Sequence, residues 1–384
     1  MKIAFAYESA YPWFNGGVEK RRYNILEALS RAKGNDLHMF TLYRPGMPGR
    51  EFVYRGVKYH CVGDALEINK MYTQGRRTLH MSVKFALLVF FRLFKYKFDL
   101  IDTDAFPFLH VPLIYLYSKL TGAKLAITWH EVWSKDFWKG YLKHGGSIGF
   151  FFESLTAKLA DVCIANSSTT KQLLNRIFKV DPKKIILFPA AVDAFEIEKF
   201  LKEHSNKCRK QDKFVVVNRL IQHKRVDIAI KAMKNVNAKL VIVGKGPELS
   251  NLKKVAKKEG VEQKVVFKQN LSLNQLYKEM CTSMALIMPS EREGLSLVTV
   301  EALALGLPVV IADTSSLPSE LRQLCSEAKE DKLGLLLNDV LTNYQKYETK
   351  YTKIKETAMK QFSNLDAQAV YADAIKIAEN KKLK

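Results

Sequence analysis

Two glutamates set eight positions apart, Glu293 and Glu301, stand in the stretch of the chain richest in chemical possibility. An apolar run at 285–288 reads as a strand. It is followed by a turn containing Gly294, a helical pattern over about 297–305, a helix-ending Gly306, and Pro308 before the next apolar run. The free amides of such a turn and the positive end of the helix form an anion site at Gly294, Leu295, Ser296 and Leu297. Ionised carboxylates only accept hydrogen bonds, and each can take both protons of a vicinal diol. At most about 12 Å of helical rise separates the two acids, so one phosphate can lie between two polyhydroxylated groups. The plainer alternative is a solvent-facing acid pair. A second loop, Asn218-Arg219-Leu220-Ile221-Gln222-His223-Lys224, follows the apolar run 214–217. Arg219 offers a bidentate fork and Lys224 a point charge, a pair able to neutralise a diphosphate without a metal, although both types are common in a basic chain.

Other positions are open to two readings. Gly16 and Gly17 let the backbone approach a ligand closely, or simply make a tight turn before the helix expected over 19–32. His130 ends the run 124–128 and is either a site residue or a core histidine with satisfied nitrogens. Gly244 and Gly246 lie in Val243-Gly244-Lys245-Gly246-Pro247-Glu248, which lacks the third glycine of a dinucleotide fingerprint. Asp102-Thr103-Asp104 can be read as a manganese site, but a structural role is favoured, and no metal ligands are assigned.

These residues require strands and helices to hold them. Short β-branched or aromatic runs recur between longer segments of helical period, the signature of βαβ units with parallel sheets. The 384 residues suit two domains, placed at 1–193 and 194–365, with a C-terminal helix at 366–384 crossing back to the first. Residues 194–213 read as a polar connection. The fold class is α/β, two doubly wound parallel-sheet domains facing a cleft, where ligands bind at strand ends.

Composition narrows the function. An apolar fraction of 47% with 26% charged residues excludes disorder, collagen-like and polytopic membrane classes. The five cysteines show no CxxC spacing, so free thiols in a reducing cytoplasm are expected; the N-terminus has no signal-peptide pattern, which points away from secretion. The net charge of +22 is spread along the chain rather than gathered in a tail, against nucleic acid as the partner. The polarised exception is 68–98, with Lys70, Arg76, Arg77, Lys84, Arg92, Lys95 and Lys97 and no acid. Within it, 84–97 is too short to span a bilayer and reads either as a buried crossover helix or as a segment lying on an anionic membrane surface.

Glu293, Glu301 and the surrounding EGLSLVTVEALALGLPVV resemble the E-x7-E element of the retaining family-four glycosyltransferases. The Arg219 to Lys224 loop, the Gly16-Gly17 turn, the Trp129-His130-Glu131 strand end, Gly244-Lys245-Gly246-Pro247 and Phe362-Ser363 are similar to further motifs of that family. The resemblance implies the GT-B fold of two Rossmann-like domains. It also implies transfer of a hexosyl group from a nucleoside diphosphate sugar to a glycan or lipid-linked hydroxyl, with retention, no metal and no cofactor. It assigns Glu293 and His130 to the donor sugar, Glu301 to the ribose, and Arg219 and Lys224 to the diphosphate. Gly16, Gly17, Gly244 and the residues Gly294, Leu295, Ser296 and Leu297 are assigned to the remaining donor contacts. From the cysteines, the N-terminus and the basic segment 84–97, the expected location is the cytoplasm, free or peripheral at the inner face of the membrane. Three departures stand out: Asn218 and Ser296 replace glycines, and Ala190-Ala191 replaces Asn-Gly at the hinge. The rival readings are a glycosidase, a nucleotide-sugar epimerase on the same fold, and a non-catalytic binder of polyanions or membranes.

Overall fold

The computed structural model describes every residue except 67–71, 74, 75, 78, 143, 144, 191, 205–207, 365 and 381–384. It divides into two compact units, Met1–Ala190 with Asn364–Lys384, and Ala191–Ser363. Of the positions singled out above, Lys70, Ala191 and residue 365 lie outside the described residues.

The first unit is built on strands β1 (Lys2–Ala6), β2 (Asp36–Tyr43), β3 (Glu51–Tyr54) and β4 (Val57–Asp64). After a two-residue pair, β5 (Tyr72–Thr73) and β6 (Arg76–Arg77), come β7 (Leu100–Asp104), β8 (Lys124–Trp129), β9 (Val162–Ala165) and β10 (Ile185–Leu187). The main sheet runs β10-β9-β8-β7-β1-β2-β4-β3, parallel except for the antiparallel edge strand β3. Its central strands are buried on both faces, which explains their continuous apolar runs. One face is covered by helices α2 (Leu79–Leu93), α3 (Val111–Thr121), α5 (Gly146–Leu159) and α6 (Ser168–Phe178), with α4 (Lys135–Leu142) beside α5. The other is covered by α1 (Gly17–Arg31) and the C-terminal α15 (Ala367–Glu379). Ala367, Tyr371, Ala374 and Ala378 recur at three- and four-residue intervals, a narrow stripe of mostly small side chains that lets α15 lie close to the sheet.

The second unit carries β11 (Lys213–Val217), β12 (Lys239–Val243), β13 (Val265–Lys268), β14 (Ala285–Met288), β15 (Val309–Ala312) and β16 (Ser326–Ala328), all parallel in the order β13-β12-β11-β14-β15-β16. That is the doubly wound 3-2-1-4-5-6 arrangement, with its switch point between β11 and β14. Its helices are α7 (Ala194–His204), α8 (Val226–Ala232), α9 (Leu249–Lys258), α10 (Leu273–Cys281), α11 (Leu297–Ala304), α12 (Ser319–Arg322), α13 (Leu333–Thr342) and α14 (Tyr344–Phe362).

Three expectations need correction. Residues 194–204 are the helix α7, held by Ile197 and Phe200 in the core of the second unit rather than forming a polar link; three-residue spacing of two large apolar groups outweighs the surrounding charge. Strands β3 and β16 lack the expected apolar run because each is a short, partly exposed edge. Cys208 and Cys281 form a disulfide with Cα atoms 5.4 Å apart, and only Cys61, Cys163 and Cys325 are free. The fold brings the pair together across 73 residues of sequence, a separation without a spacing signature.

Candidate active site

The switch point of the second unit gathers most of the chemistry. Leaving β11, Asn218 donates from Nδ2 to Ser290 Oγ at 3.3 Å, joining the ends of β11 and β14 where the strand order reverses. The side chain that departs from the family's glycine therefore serves as a tie between the two loops. The next residue, Arg219, is exposed and makes no side-chain hydrogen bond among the described residues. The loop then tightens into a 3-10 turn, Gln222–Lys224, which carries the Lys224 ammonium inward. Lys224 Nζ lies 2.7 Å from Glu293 Oε1 and 3.3 Å from the Arg292 carbonyl. Both side chains are largely buried, 9% and 12% exposed, so the two residues form one charge-neutral unit.

From Glu293 the chain passes Gly294 and Leu295 to Ser296, the N-cap of α11, whose hydroxyl accepts from the Thr299 amide at 3.4 Å. With serine in place of glycine, the cap satisfies one amide of the first turn. Glu301 is buried on α11 and accepts a 3.4 Å hydrogen bond from the Tyr277 hydroxyl of α10. Tyr277 carries no motif, and sequence reasoning missed it. Gly244 and Gly246 have a structural reason for being glycine: a Cβ at Gly244 would lie 1.8 Å from the Asn218 carbonyl oxygen, and one at Gly246 would lie 2.1 Å from that of Leu220. The loops after β11 and β12 meet backbone to backbone, and the Leu220 amide donates to Lys245 O at 2.8 Å.

In the first unit, Gly16 caps α1 with extended backbone and no side-chain cap. A Cβ at Gly16 would fall 2.1 Å from Glu19 Oε2, so a carboxylate already faces the amide end of α1. Gly17 opens the helix and is exposed. His130, at the end of β8, joins Asp104 through Nε2 at 2.6 Å. Asp102 and Asp104 alternate with Thr103 on β7, so both carboxylates share one sheet face, and there they meet Arg22 of α1 at 3.2 and 2.8 Å. Asp102 also accepts from Thr128 at 2.8 Å and from the Tyr371 hydroxyl of α15. Spacing of two on a strand was the available signal for this buried network. Burial alone would raise the Asp104 pKa, but Arg22 and His130 hold it well below the usual carboxylate range. Burial lowers the His130 pKa and, with Arg21 and Arg22, outweighs Asp104, which favours the neutral ring. Among the described residues, no group of three or more His, Cys, Asp or Glu side chains is arranged to hold a metal ion.

Residues 15–194 match the model of Glycosyltransferase Family 4, and residues 197–358 that of Glycosyl transferases group 1. The chain belongs to the family-four glycosyltransferases. The Campylobacter jejuni N-acetylgalactosamine-N,N'-diacetylbacillosaminyl-diphospho-undecaprenol 4-alpha-N-acetylgalactosaminyltransferase is 31% identical over 62% of this chain and 63% of its own length. The gpi3 subunit of the Schizosaccharomyces pombe phosphatidylinositol N-acetylglucosaminyltransferase is 24% identical over 53% of this chain and 46% of its own. The chain thus spans about half to under two thirds of the length of these curated relatives. Among solved structures, Anabaena Alr3699/HepE in complex with UDP-glucose superposes with a TM-score of 0.71 at 16% identity, covering all of both chains. The shared fold is GT-B. No helix among the described residues is long and apolar enough to cross a membrane.

Proposed function

We propose that this glycosyltransferase moves a hexosyl group from a nucleoside diphosphate sugar to a hydroxyl of a glycan or lipid-linked acceptor, with retention of configuration and without a metal. The observation that carries this reading is the Lys224–Glu293 pair at the switch point, beside exposed Arg219 and the N-terminus of α11. The complex of HepE with UDP-glucose, and the diphospho-undecaprenol and phosphatidylinositol groups in the names of the relatives, are consistent with it. Arg219 is free to fork onto a phosphate, and Lys224 adds charge from beneath. The α11 amides supply further donors. Glu293 keeps Oε2 for a sugar hydroxyl while Oε1 holds Lys224, and Glu301 takes the ribose diol beside Tyr277.

In the transfer itself, the bond from the anomeric carbon to the phosphate oxygen breaks. A bond to the acceptor oxygen forms on the same face, and the acceptor proton passes to the departing phosphate. This route requires no protein base. His130 is assigned a contact to the donor sugar as a neutral ring. A location in the cytoplasm, free or peripheral at the inner face of the membrane, belongs to this proposal, although the Cys208–Cys281 disulfide removes the free-thiol argument for it. The test is nucleotide release from UDP, GDP and ADP sugars, with and without acceptor lipids and with chelator present. Acceptor-dependent, chelator-resistant release that is lost in Glu301→Ala supports the reading. Product formed without acceptor favours an epimerase, and no turnover of any donor overturns the proposal.

A further inference from the structure

Helices α2, α3 and α5 lie side by side in one layer on the same face of the first sheet, each turning one apolar side to that core. Each also turns large apolar side chains outward. On α2, Leu79, Val83, Leu87 and Phe91 recur every fourth residue, a stripe about 18 Å long by helical rise, and Phe91 is 68% exposed. On α3 the outward groups are Leu116 and Leu120, and on α5 they are Ile148 and Phe151, with Leu120 and Ile148 more than 60% exposed. Among the described residues nothing in this unit covers them.

The charges of this layer have one sign. The three helices contain Lys84, Arg92, Lys119 and Lys158 but only one carboxylate, Glu153. Glu153 is fully buried and accepts from the Trp133 amide and Trp138 Nε1. Lys95 and Lys97 follow α2 in the exposed turn. Arg92 pairs with Glu51 and Lys119 with Asp161. Lys84, Lys95, Lys97 and Lys158 have no carboxylate partner among the described residues.

We infer that the α2–α3–α5 layer is a docking surface for an anionic lipid bilayer, with the outward aliphatic and phenyl groups in the acyl boundary and the lysines at the phosphates. An apolar face whose three helices carry exposed cations and no exposed acid complements a negatively charged interface; at its edges Glu51 is paired with Arg92 and Asp136 with Lys139. A second copy of the chain is disfavoured as occupant, because a twofold pairing sets the same lysines against each other. The surface comprises three helices, of which the acid-free sequence segment marks only the first. The inference extends the lipid-acceptor reading but rests on geometry separate from the donor site.

The test is co-sedimentation of the full chain with vesicles of phosphatidylcholine alone and of equal parts phosphatidylcholine and phosphatidylglycerol. Binding only to the anionic vesicles is expected, weakening with salt. Leu87→Ser/Phe91→Ser and Lys95→Glu/Lys97→Glu should each reduce it roughly tenfold or more. All four positions are solvent-facing and outside the donor machinery, so unchanged circular dichroism and unchanged release from donor are the controls. Absence of wild-type binding to anionic vesicles, or variants that bind as the wild type does, overturns the inference. So does a sedimentation-detected dimer that Leu87→Ser/Phe91→Ser dissociates while vesicles are ignored. Failure of the donor screen leaves the vesicle result intact, so the two proposals fail separately.

Discussion

Replacing Glu293 by glutamine should lower stability while preserving or strengthening diphosphate binding, a combination that distinguishes a shared cation from a dedicated one. In the ligand-free enzyme the Lys224 ammonium has a carboxylate at 2.7 Å and a carbonyl at 3.3 Å. Glu293→Gln keeps the shape but removes the countercharge from a site whose side chains are about one-tenth exposed. Breaking one partner of a buried pair costs about 3–5 kcal/mol, and the amide oxygen left beside Lys224 puts this case at about 3. For a unit of this size that is a fall of roughly 6–12 °C in Tm. A nucleoside diphosphate then supplies the missing negative charge, so UDP or GDP should raise the Tm of the variant by more than it raises that of the wild type. Lys224→Met leaves the opposite orphan, a buried carboxylate that repels phosphate, and should lose both stability and nucleotide binding. Differential scanning fluorimetry with and without nucleotide, followed by calorimetric titration, measures both quantities. The reasoning is refuted if Glu293→Gln keeps the wild-type Tm, or if it weakens nucleotide binding as much as Lys224→Met does.

Three further outcomes follow from the same geometry. Asp104→Asn deprives Arg22 of one carboxylate and His130 of its anionic partner, and should cost about 3 kcal/mol or more in urea unfolding along with most turnover; a fully stable, fully active variant would remove His130 and its network from the mechanism. His60 pairs with His38 at 2.8 Å and, through Nδ1, with the Glu51 carboxylate at 2.5 Å; burial first and then Lys58 lower its pKa to about 4, against the opposing pull of the neighbouring acids Asp36 and Glu51. The folded state therefore holds a neutral ring that the unfolded chain protonates below 6.5. About 3 kcal/mol of stability is present above that pH and is lost progressively as the pH falls from 6.5 toward 4. Urea midpoints between pH 7 and 5 should fall more steeply for the wild type than for His60→Gln, and equal slopes would contradict this. Gly244→Ala drives a methyl into the Asn218 carbonyl and should yield little folded protein, whereas Gly260→Ala, at a φ of 68° with nothing within 4 Å, should cost only about 1 kcal/mol; comparable yields would show that the loops give way.

The contrast between what sequence revealed and what it concealed follows from the range of the interactions. Buried parallel strands announce themselves because burial on both faces demands an unbroken apolar run, as in β11 and β14. Edge strands β3 and β16 escape notice because half their surface meets water. Within the site, Gly294, Ser296 and Glu301 were legible together, since a turn, a cap and a helix lie within one local element. The Lys224–Glu293 pair was visible only as two separate residues, because they stand 69 positions apart and the contact exists only once β11 and β14 are neighbours. Tyr371 to Asp102 is more distant still, at 269 positions.

That last contact gives α15 a physical role in the first unit. Asp102 accepts from Tyr371, Thr128 and Arg22, and the same Arg22 anchors Asp104, to which His130 is bonded. Burial, together with Asp102, pushes the Tyr371 hydroxyl well above its ordinary pKa, so the phenol stays a donor throughout the working pH range. Tyr371→Phe removes one donor from a fully buried carboxylate while leaving the helix packing intact. The expected loss is about 1–3 kcal/mol in urea unfolding, with turnover falling further than in Ala374→Gly, which loosens the same helix without touching Asp102. Equal turnover in the two variants at matched stability would show that α15 supports the fold alone and that its bond to Asp102 does not reach His130.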